Sequence, residues 1–464
     1  MVYPPLLFTH TSEYPCSAQE LYDWHSREGA LERLLPPWEK VEILEKKGGI
    51  EAGARVHLRF HSGPFKLFSF EFHALHLENN PGHSFHDIQQ RGPFASWSHQ
   101  HFFSESNSGC HLEDRVEYRL PLQRFMMRPL RQAAQHSLER MFRHREEQLR
   151  ADILLHQRYS SRPLRLLISG AGGVLGRELL SLLTTGGHEV WRLVRRKADP
   201  ARREIRWNID NNDLDLSGAP PFDGVIHLAG EYIGLYRWTE KKKRQVLESR
   251  VRGTRLLVNS LSSLRQRPAV FISASAIGCY GNCGDTPTDE THPFAADFIS
   301  RVCHDWEKEA QAAETAGMRT VMMRFGVGLT PKGGALQRIS DASFCGCIRA
   351  LGKGEQILSW VSIDDMAASL LHALTCSRLS GPVNVAAPNP VSNREFLRTF
   401  ARVTGRPLLF PLPAPLLRMT FGELANEMLL SGCRVSSQKL IASGFTFRHP
   451  ELEAALRAMY GRWK

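Results

Sequence analysis

Apolar and polar residues alternate along much of the N-terminal part of the chain, and this period of two predicts β-strands. Each predicted strand shows this alternation or is a short run of residues that favour β-strands. The strands lie at Arg55–Phe60, Phe68–Leu77, His99–Phe103 and Arg115–Leu120. From Pro129 to Leu149 the apolar residues recur instead at helical spacing, with arginines on the other faces. Antiparallel strands followed by one long helix predict an α+β domain in which a sheet wraps around a helix.

The pattern changes after the short polar segment Arg158–Pro163, which is typical of a linker. Short apolar runs then alternate with helix-like spans, as in a doubly wound parallel sheet. The predicted strands lie at Leu164–Ser169, His188–Val194, Asp223–Ala229, Ala269–Ala274 and Arg319–Phe325. We therefore expect an α+β domain over 1–152, a linker over 153–163, a parallel α/β domain over 164–389 and a small substrate-side subdomain over 390–464.

The composition is that of an ordinary globular protein. Of 464 residues, 42% are hydrophobic and 23% are charged, which excludes a disordered or coiled-coil chain. The net charge of +11 suits an enzyme that holds phosphates. No known nucleic-acid-binding motif accompanies this charge, so we expect no nucleic-acid partner. No apolar stretch reaches the roughly 18 residues of a membrane span.

Cysteine usage indicates a reducing compartment. The nine cysteines include two close pairs, Cys279/Cys283 and Cys345/Cys347, and neither has the C-x-x-C spacing of a zinc or redox site. The N-terminus lacks a basic segment followed by an apolar core, so it does not resemble a secretory signal. We expect a cytoplasmic protein without a bound metal.

A glycine-rich segment, Ser169-Gly-Ala-Gly-Gly-Val-Leu-Gly176, carries the strongest chemical signal. It follows a predicted strand and opens a predicted helix. Gly170 permits a tight turn, Gly173 permits close approach of a pyrophosphate, and Gly176 permits close packing of the helix. The free N–H groups at the helix N-terminus favour an anion there. The predicted dinucleotide contacts are Gly170, Gly172, Gly173, Val174, Leu175 and Gly176.

The end of the second predicted strand of this domain selects the dinucleotide. It carries Arg195, Arg196 and Lys197 and no carboxylate. An NAD-specific site places Asp or Glu there to accept a hydrogen bond from the ribose 2′-hydroxyl, whereas arginines suit a 2′-phosphate. The sequence therefore favours NADP(H) over NAD(H); a basic surface turn is the alternative.

The chain from about residue 164 onward resembles the atypical, epimerase-like branch of the short-chain dehydrogenase/reductase superfamily. The resemblance rests on motifs found in the family's order, namely Ile226–Glu231, Arg237–Glu240, Glu248–Val251, Ser273–Gly281, Asp305–Glu307, Gly333–Leu336, Trp360–Asp365, Pro382–Pro390 and Phe421–Glu423. It implies a Rossmann-type fold and cofactor contacts at Leu228, Ala229, Gly230 and Ser273.

The same resemblance implies a reacting group at Ser275, but the family's Tyr-x-x-x-Lys pair is missing. No tyrosine occurs between Tyr280 and Tyr460. Tyr280 and Glu231 are candidate substitutes, and packing, capping or substrate contact are the alternatives for each; Cys303 and His304 are further candidates for a proton donor. We expect an NADP(H)-dependent oxidoreductase or epimerase-like enzyme with a small-molecule substrate. The alternative is a non-catalytic NADP(H)-binding sensor or scaffold. Substrate identity and oligomeric state stay open.

The N-terminal part resembles the START-like, polyketide-cyclase superfamily. The resemblance rests on the order of elements, on Tyr14–Leu21 and on the run from Gly92 to His101. It implies a helix-grip fold around a cavity, with an apolar ligand. His99 and His101 share one face of a predicted strand. They are interpreted as ordinary strand histidines rather than metal or acid/base groups, because no cysteine or carboxylate pattern nearby completes a metal site.

Overall fold

The computed structural model describes residues 4–62, 68–121, 128–159, 162–234, 236–344 and 348–463. The chain divides into two compact units: Met1–Ser161 with Thr184–Gly187, and Arg162–Leu183 with His188–Lys464. Cys345 and Cys347 lie outside the described residues. No helix in the described ranges is long and apolar enough to cross a membrane.

The first unit is a seven-stranded antiparallel sheet with a long C-terminal helix. Its strands are β1 (Leu6–Tyr14), β2 (Lys40–Lys47), β3 (Arg55–Ser62), β4 (Phe68–Asn80), β5 (Ser84–Arg91), β6 (Ser96–Ser106) and β7 (Gly109–Arg119). Its helices are α1 (Ala18–Ser26), α2 (Ala30–Leu34) and α3 (Arg128–Tyr159). The strand order is β1-β7-β6-β5-β4-β3-β2.

Helix α3 packs on the sheet through its apolar face. Phe142 is fully buried, and its ring centroid lies 5.1 Å from that of Phe8 on β1. Leu149 and Ile153 are each 1% exposed and join the same core as Trp24. The predicted linker therefore begins too early: the apolar face continues past residue 152, and its burial keeps the chain helical to Tyr159.

The second unit contains a seven-stranded parallel sheet of order β10-β9-β8-β11-β12-β14-β19. The described strands of the whole unit, including those that form small two-stranded pairs outside this sheet, are β8 (Arg165–Ser169), β9 (Glu189–Val194), β10 (Glu204–Arg206), β11 (Gly224–His227), β12 (Val270–Ala276), β13 (Gly284–Thr288), β14 (Arg319–Phe325), β15 (Val327–Thr330), β16 (Ile348–Leu351), β17 (Ile357–Leu358), β18 (Trp360–Ser362), β19 (Gly381–Val385), β20 (Val391–Ser392), β21 (Leu408–Leu412) and β22 (Cys433–Val435). The helices are α4 (Val174–Thr185), α5 (Glu240–Ser262), α6 (Phe298–Thr315), α7 (Gly334–Phe344), α8 (Ile363–Thr375), α9 (Asn393–Thr404), α10 (Ala414–Phe421), α11 (Gln438–Ala442) and α12 (Leu452–Met459).

Chain order reverses between β8 and β11, which is the switch point where open α/β sheets bind ligands. The core strands carry continuous apolar runs because helices cover both faces of the sheet. Leu167, Val225 and Phe271 are fully buried in one apolar cluster with Leu257 of α5 and Ala310 of α6.

The C-terminal residues pair with earlier strands. β16 pairs with β21, and β13 with β22. Phe400 on α9 and Leu456 on α12 are fully buried in one apolar cluster. The segment predicted as a subdomain over 390–464 thus interleaves with residues that precede it in the chain.

Candidate functional site

The glycine-rich loop joins β8 to α4 and has no room for side chains at two positions. Gly170 has φ +76°, and a Cβ atom there would lie 2.7 Å from the backbone carbon of Leu228. A Cβ atom on Gly176 would lie 2.2 Å from the carbonyl oxygen of Gly170. These positions fix the tight turn and bring α4 close against the loop, as predicted from the spacing.

The opposite side of the loop is open. A Cβ atom on Gly172 would meet nothing within 4 Å, and one on Gly173 would meet a single backbone oxygen at 3.3 Å. Val174 and Leu175 begin α4 and are half-buried. The N–H groups of the first helical turn lack partners within the helix, and with the helix dipole they favour an anion at this end. The loop therefore fits the phosphates of a dinucleotide.

His227, at the end of β11, lies buried beside this loop. Its Nδ1 lies 2.6 Å from Ser169 Oγ, and its Nε2 lies 3.0 Å from Thr254 Oγ1, which donates to the carbonyl of Arg250. A neutral ring with its proton on Nε2 satisfies this chain, with the Ser169 hydroxyl donating to Nδ1. Burial lowers the pKa of His227 to about 3. His227 lies in the Ile226–Glu231 motif, but its sequence position alone predicts no role for it.

The segment after His227 runs along the glycine loop. The N–H of Leu228 donates to the carbonyl of Ser169, and the N–H of Ala229 donates to Ser169 Oγ. A Cβ atom on Gly230 would lie 3.0 Å from Cζ of Arg250, a buried guanidinium. The predicted cofactor-side residues Leu228, Ala229 and Gly230 are thus beside the loop, where small residues leave space.

The basic segment after β9 contains two arginines with different surroundings. Arg196 donates two hydrogen bonds, of 2.6 and 2.7 Å, to the carboxylate of Glu204 on β10, which is 2% exposed. These bonds hold the pKa of Glu204 below its usual value. Arg195 is exposed and has no hydrogen-bond or ion-pair partner among the described residues. Of the two, Arg195 is free to bind a ligand.

The predicted catalytic serine and tyrosine enter one buried polar network at the carboxyl ends of β12 and β14. Ser275 Oγ donates to Glu307 at 2.6 Å, and Glu307 forms a bidentate ion pair with Arg324 at 2.8 Å. Arg324 donates to the Tyr280 hydroxyl at 2.9 Å, and that hydroxyl donates to Asn384 at 2.7 Å. Burial raises the pKa of Tyr280. Both hydroxyls already have protein partners.

The other predicted site residues lie apart from this network. Ser273 is 1% exposed, and its hydroxyl donates to the carbonyl of Ala274, so the side chain offers no surface to a ligand. Glu231 pairs with Lys242 at 2.6 Å. Glu231 has no hydrogen bond or ion pair to Ser275 or Tyr280 in the described ranges.

The two proton-donor candidates on α6 also differ. Burial raises the pKa of the Cys303 thiol to about 12. His304 is 55% exposed and lies 3.1 Å from Asp305. Neither arrangement resembles an activated catalytic group.

Comparison with known proteins identifies the second unit. Epimerase family protein MT2273 of Mycobacterium tuberculosis is 36% identical over 289 residues, which are 62% of this chain and 95% of that protein. This chain belongs to the epimerase family. Human epimerase family protein SDR39U1 is 34% identical over 297 residues, 63% of this chain and 99% of that protein.

Family models match three segments of this epimerase-family chain. Residues 166–386 match the NAD dependent epimerase/dehydratase family, residues 14–145 match polyketide cyclase/dehydrase and lipid transport, and residues 412–459 match a domain of unknown function (DUF1731). Both resemblances and both predicted fold classes are confirmed.

Two solved structures are similar to this chain at a sequence identity of 30% or more. The nucleoside-diphosphate sugar epimerase from Corynebacterium glutamicum is 30% identical with a TM-score of 0.78, covering 98% of this chain and 90% of that chain. Human SDR39U1, crystallised with NADPH, is 32% identical with a TM-score of 0.59, covering 64% of this chain and 99% of that chain. This epimerase-family chain therefore has the fold of the NAD(P)-dependent short-chain dehydrogenases/reductases, and a START-like domain precedes that fold in the sequence.

Proposed function

We propose that the second unit binds NADP(H), with Arg195 contacting the 2′-phosphate. Arg195 is exposed at the end of β9, and its side chain has no partner among the residues that the structure describes; this observation carries the proposal. The nearby carboxylate of Glu204, which would favour a 2′-hydroxyl, is already occupied by Arg196. The human relative crystallised with NADPH supports the same selection.

The chain's own residues would hold the cofactor at three places. The open side of the loop at Gly172 and Gly173, with the N-terminus of α4, would receive the pyrophosphate. Leu228 and Ala229 would leave space for the adenosine. Bound NADP(H) supplies a hydride donor or acceptor. The proposed reaction is oxidation, reduction or epimerisation of a small polar or nucleotide-linked substrate.

Calorimetric titration with NADPH and NADH tests the cofactor proposal. Arg195→Ala should weaken NADPH binding by about 10- to 100-fold, the loss of a charge-assisted hydrogen bond, and leave NADH binding unchanged. Lys308→Ala removes an exposed positive charge from α6 and serves as the matched control. Equal affinity of the wild type for both nucleotides, or an Arg195→Ala variant that still prefers NADPH, would overturn the proposal.

We infer a role in catalysis for Ser275, with Tyr280 and Glu231 as further candidates. The carboxyl end of β12 supports the proposal for Ser275, because ligands bind beyond the strand ends in this fold. The buried network favours the second candidate function, a non-catalytic NADP(H) sensor or scaffold, because the Ser275 and Tyr280 hydroxyls both donate to protein groups. A turnover assay distinguishes the two functions. If the wild type oxidises NADPH in metabolite mixtures, and Ser275→Ala abolishes this oxidation without changing the affinity for NADPH, the result supports the enzyme function.

The first unit is proposed to bind an apolar ligand. It contains a cavity of about 490 Å³ with many apolar lining residues, among them Leu58, Phe72, Trp97 and Leu138. A cavity of this size and lining is typical of small-molecule sites. Native mass spectrometry of the full chain with added fatty acids should detect a bound molecule; a chain that stays empty contradicts this proposal.

A further inference from the structure

Two histidines and two aspartates meet inside the first unit on three adjacent strands. His99 and His101 lie two residues apart on β6 and are 4% and 6% exposed. Asp87 on β5 is opposite His99 in register, and Asp114 on β7 is opposite His101. The expectation that no carboxylate accompanies these histidines is wrong, because the carboxylates come from the neighbouring strands.

One carboxylate and two imidazoles form a triangle of ligand atoms. Asp87 Oδ2 lies 3.7 Å from His99 Nδ1 and 3.8 Å from His101 Nε2. One ligand atom from each of the three residues lies within 4.8 Å of the others. Ligands at zinc-like distances of about 2.0 to 2.1 Å in a tetrahedral site are separated by about 3.3 Å. Small side-chain rotations therefore suffice to bring these atoms around one ion.

The second carboxylate faces the other nitrogens of the same two rings. Asp114 Oδ1 lies 3.1 Å from His99 Nε2 in a hydrogen bond, and 2.7 Å from His101 Nδ1, a contact that is close but not aligned as a hydrogen bond. Metal-binding histidines usually donate their other N–H to a carboxylate, which fixes the tautomer and the ring orientation. Asp114 is in position to orient both rings, while Asp87 lies on their ligand side.

The triangle opens on the cavity of the first unit. Asp87, His99 and His101 line this cavity together with His76. His76 is 9% exposed, and its Nδ1 has no hydrogen-bond partner within the described part of the chain. Buried polar atoms without a partner are uncommon in folded proteins. An unsatisfied imidazole beside the triangle is a second, independent sign that a ligand belongs at this end of the cavity.

A second histidine cluster in the same unit is a weaker candidate. His57, Glu71 and His73 also bring ligand atoms together, on β3 and β4. Their side chains are 23%, 30% and 31% exposed, and the Glu71 carboxylate accepts a hydrogen bond from Arg59 at 3.1 Å. Because a guanidinium already neutralises Glu71 and water competes for these groups, this cluster serves as an internal control.

We propose that Asp87, His99 and His101 bind a divalent transition-metal ion at one end of the cavity, and that Asp114 is a positioning residue for both imidazoles. Two imidazoles and one carboxylate are ligands that suit Zn²⁺ or Fe²⁺. Three protein ligands leave coordination positions open, and because these residues line the cavity, a molecule in the cavity reaches the ion. The site is separate from the proposed NADP(H) site, so either proposal can fail without the other.

The test uses the full chain without a histidine tag, stripped with a chelator and titrated with Co²⁺ and then with Zn²⁺. The wild type should take up one ion per chain, with visible Co²⁺ absorption that Zn²⁺ displaces. His99→Ala/His101→Ala should lose the absorption and the tight stoichiometric uptake, and Asp87→Asn should weaken uptake. Asp114→Asn should weaken it by about 10- to 100-fold, as expected for a group that orients ligands.

The matched control is His57→Ala/His73→Ala, which removes the same number of imidazoles from the exposed cluster and should leave uptake unchanged. Circular dichroism checks that each variant folds. If the His99/His101 variant does not fold, X-ray absorption of the wild-type Co²⁺ complex decides, because two imidazoles must appear among the ligands. Failure to bind at micromolar ion, loss of uptake in the control variant, or a complex without imidazole ligands would each overturn the proposal.

Discussion

His227→Gln is expected to remove a large part of the acid sensitivity of the parallel sheet. In the folded chain both ring nitrogens of His227 contact hydroxyl groups, at 2.6 and 3.0 Å, and burial lowers the pKa to about 3. In the unfolded chain the ring keeps a pKa of about 6.5. Below that pH the unfolded chain binds a proton that the folded chain cannot accept. The stabilisation is therefore complete above pH 6.5 and is lost as the pH falls towards 3.

The size of the effect follows from the two pKa values. Each pH unit between about 6.5 and 3 lowers the free energy of unfolding by about 1.4 kcal/mol. Between pH 7.5 and pH 5.0 the wild type should therefore lose about 2 kcal/mol through His227 alone. Glutamine cannot titrate. The variant should be less stable at pH 7.5, because one amide cannot satisfy both hydroxyl partners, but its free energy of unfolding should fall about 2 kcal/mol less on acidification.

The measurement needs a probe inside this sheet, because the chain has two compact units and a signal from the whole chain would combine the unfolding of both. Met322 and Met323 on β14 are fully buried, so their oxidation by a short peroxide pulse at increasing urea reports the unfolding of the sheet. His304→Gln is the control, because it makes the same substitution at a ring that is 55% exposed rather than buried. Equal losses on acidification in the wild type and in His227→Gln would refute the reasoning, as would an equal effect of the control.

Three further variants test the packing. Gly176→Ala should abolish NADPH binding in calorimetric titration, because its Cβ atom would lie 2.2 Å from a backbone oxygen. Gly172→Ala should leave the free energy of unfolding unchanged, because a Cβ atom there would meet nothing within 4 Å. Unimpaired NADPH binding by Gly176→Ala would contradict this reasoning. Asp152→Ala should destabilise the first unit by about 3 to 5 kcal/mol in urea unfolding, because it removes the buried 2.6 Å ion pair between Asp152 and Arg33; a loss below about 1 kcal/mol would show that the pair contributes little.

Much of the fold could be predicted from the sequence because its signals are local. The strand at Arg165–Ser169 is a short apolar run, and the glycine spacing after it depends on residues that are neighbours in the chain. Strand β5 was not predicted. Its sequence, Ser-Phe-His-Asp-Ile-Gln-Gln-Arg, has two apolar residues, and the burial of Phe85 comes from its neighbours in the sheet. Such a strand is defined by its hydrogen bonds to neighbouring strands, and these cannot be read from its own residues.

The parts of the candidate sites that could not be predicted depend on pairing between strands. Asp87 is 12 residues from His99 in the chain but opposite it in the sheet. That register is set by the turn between β5 and β6, and it runs without irregularity from Ser84 to Ile88. A shift of one residue would turn Asp87 to the other face. The histidines were recognised because their spacing of two is local, and the carboxylates were missed because their proximity is set by register.

The same distinction changes how cofactor selection should be tested. From the sequence, Arg195 and Arg196 are equivalent, and a double substitution is the natural experiment. In the structure Arg196 neutralises Glu204, whose carboxylate is 2% exposed, so removing Arg196 leaves this buried charge with only a longer ion pair, 3.9 Å to Arg192, and destabilises β10. A double variant that loses NADPH binding would then report a damaged strand as readily as a lost phosphate contact. Arg195→Ala alone separates the two causes, because that side chain has no partner in the described residues to lose.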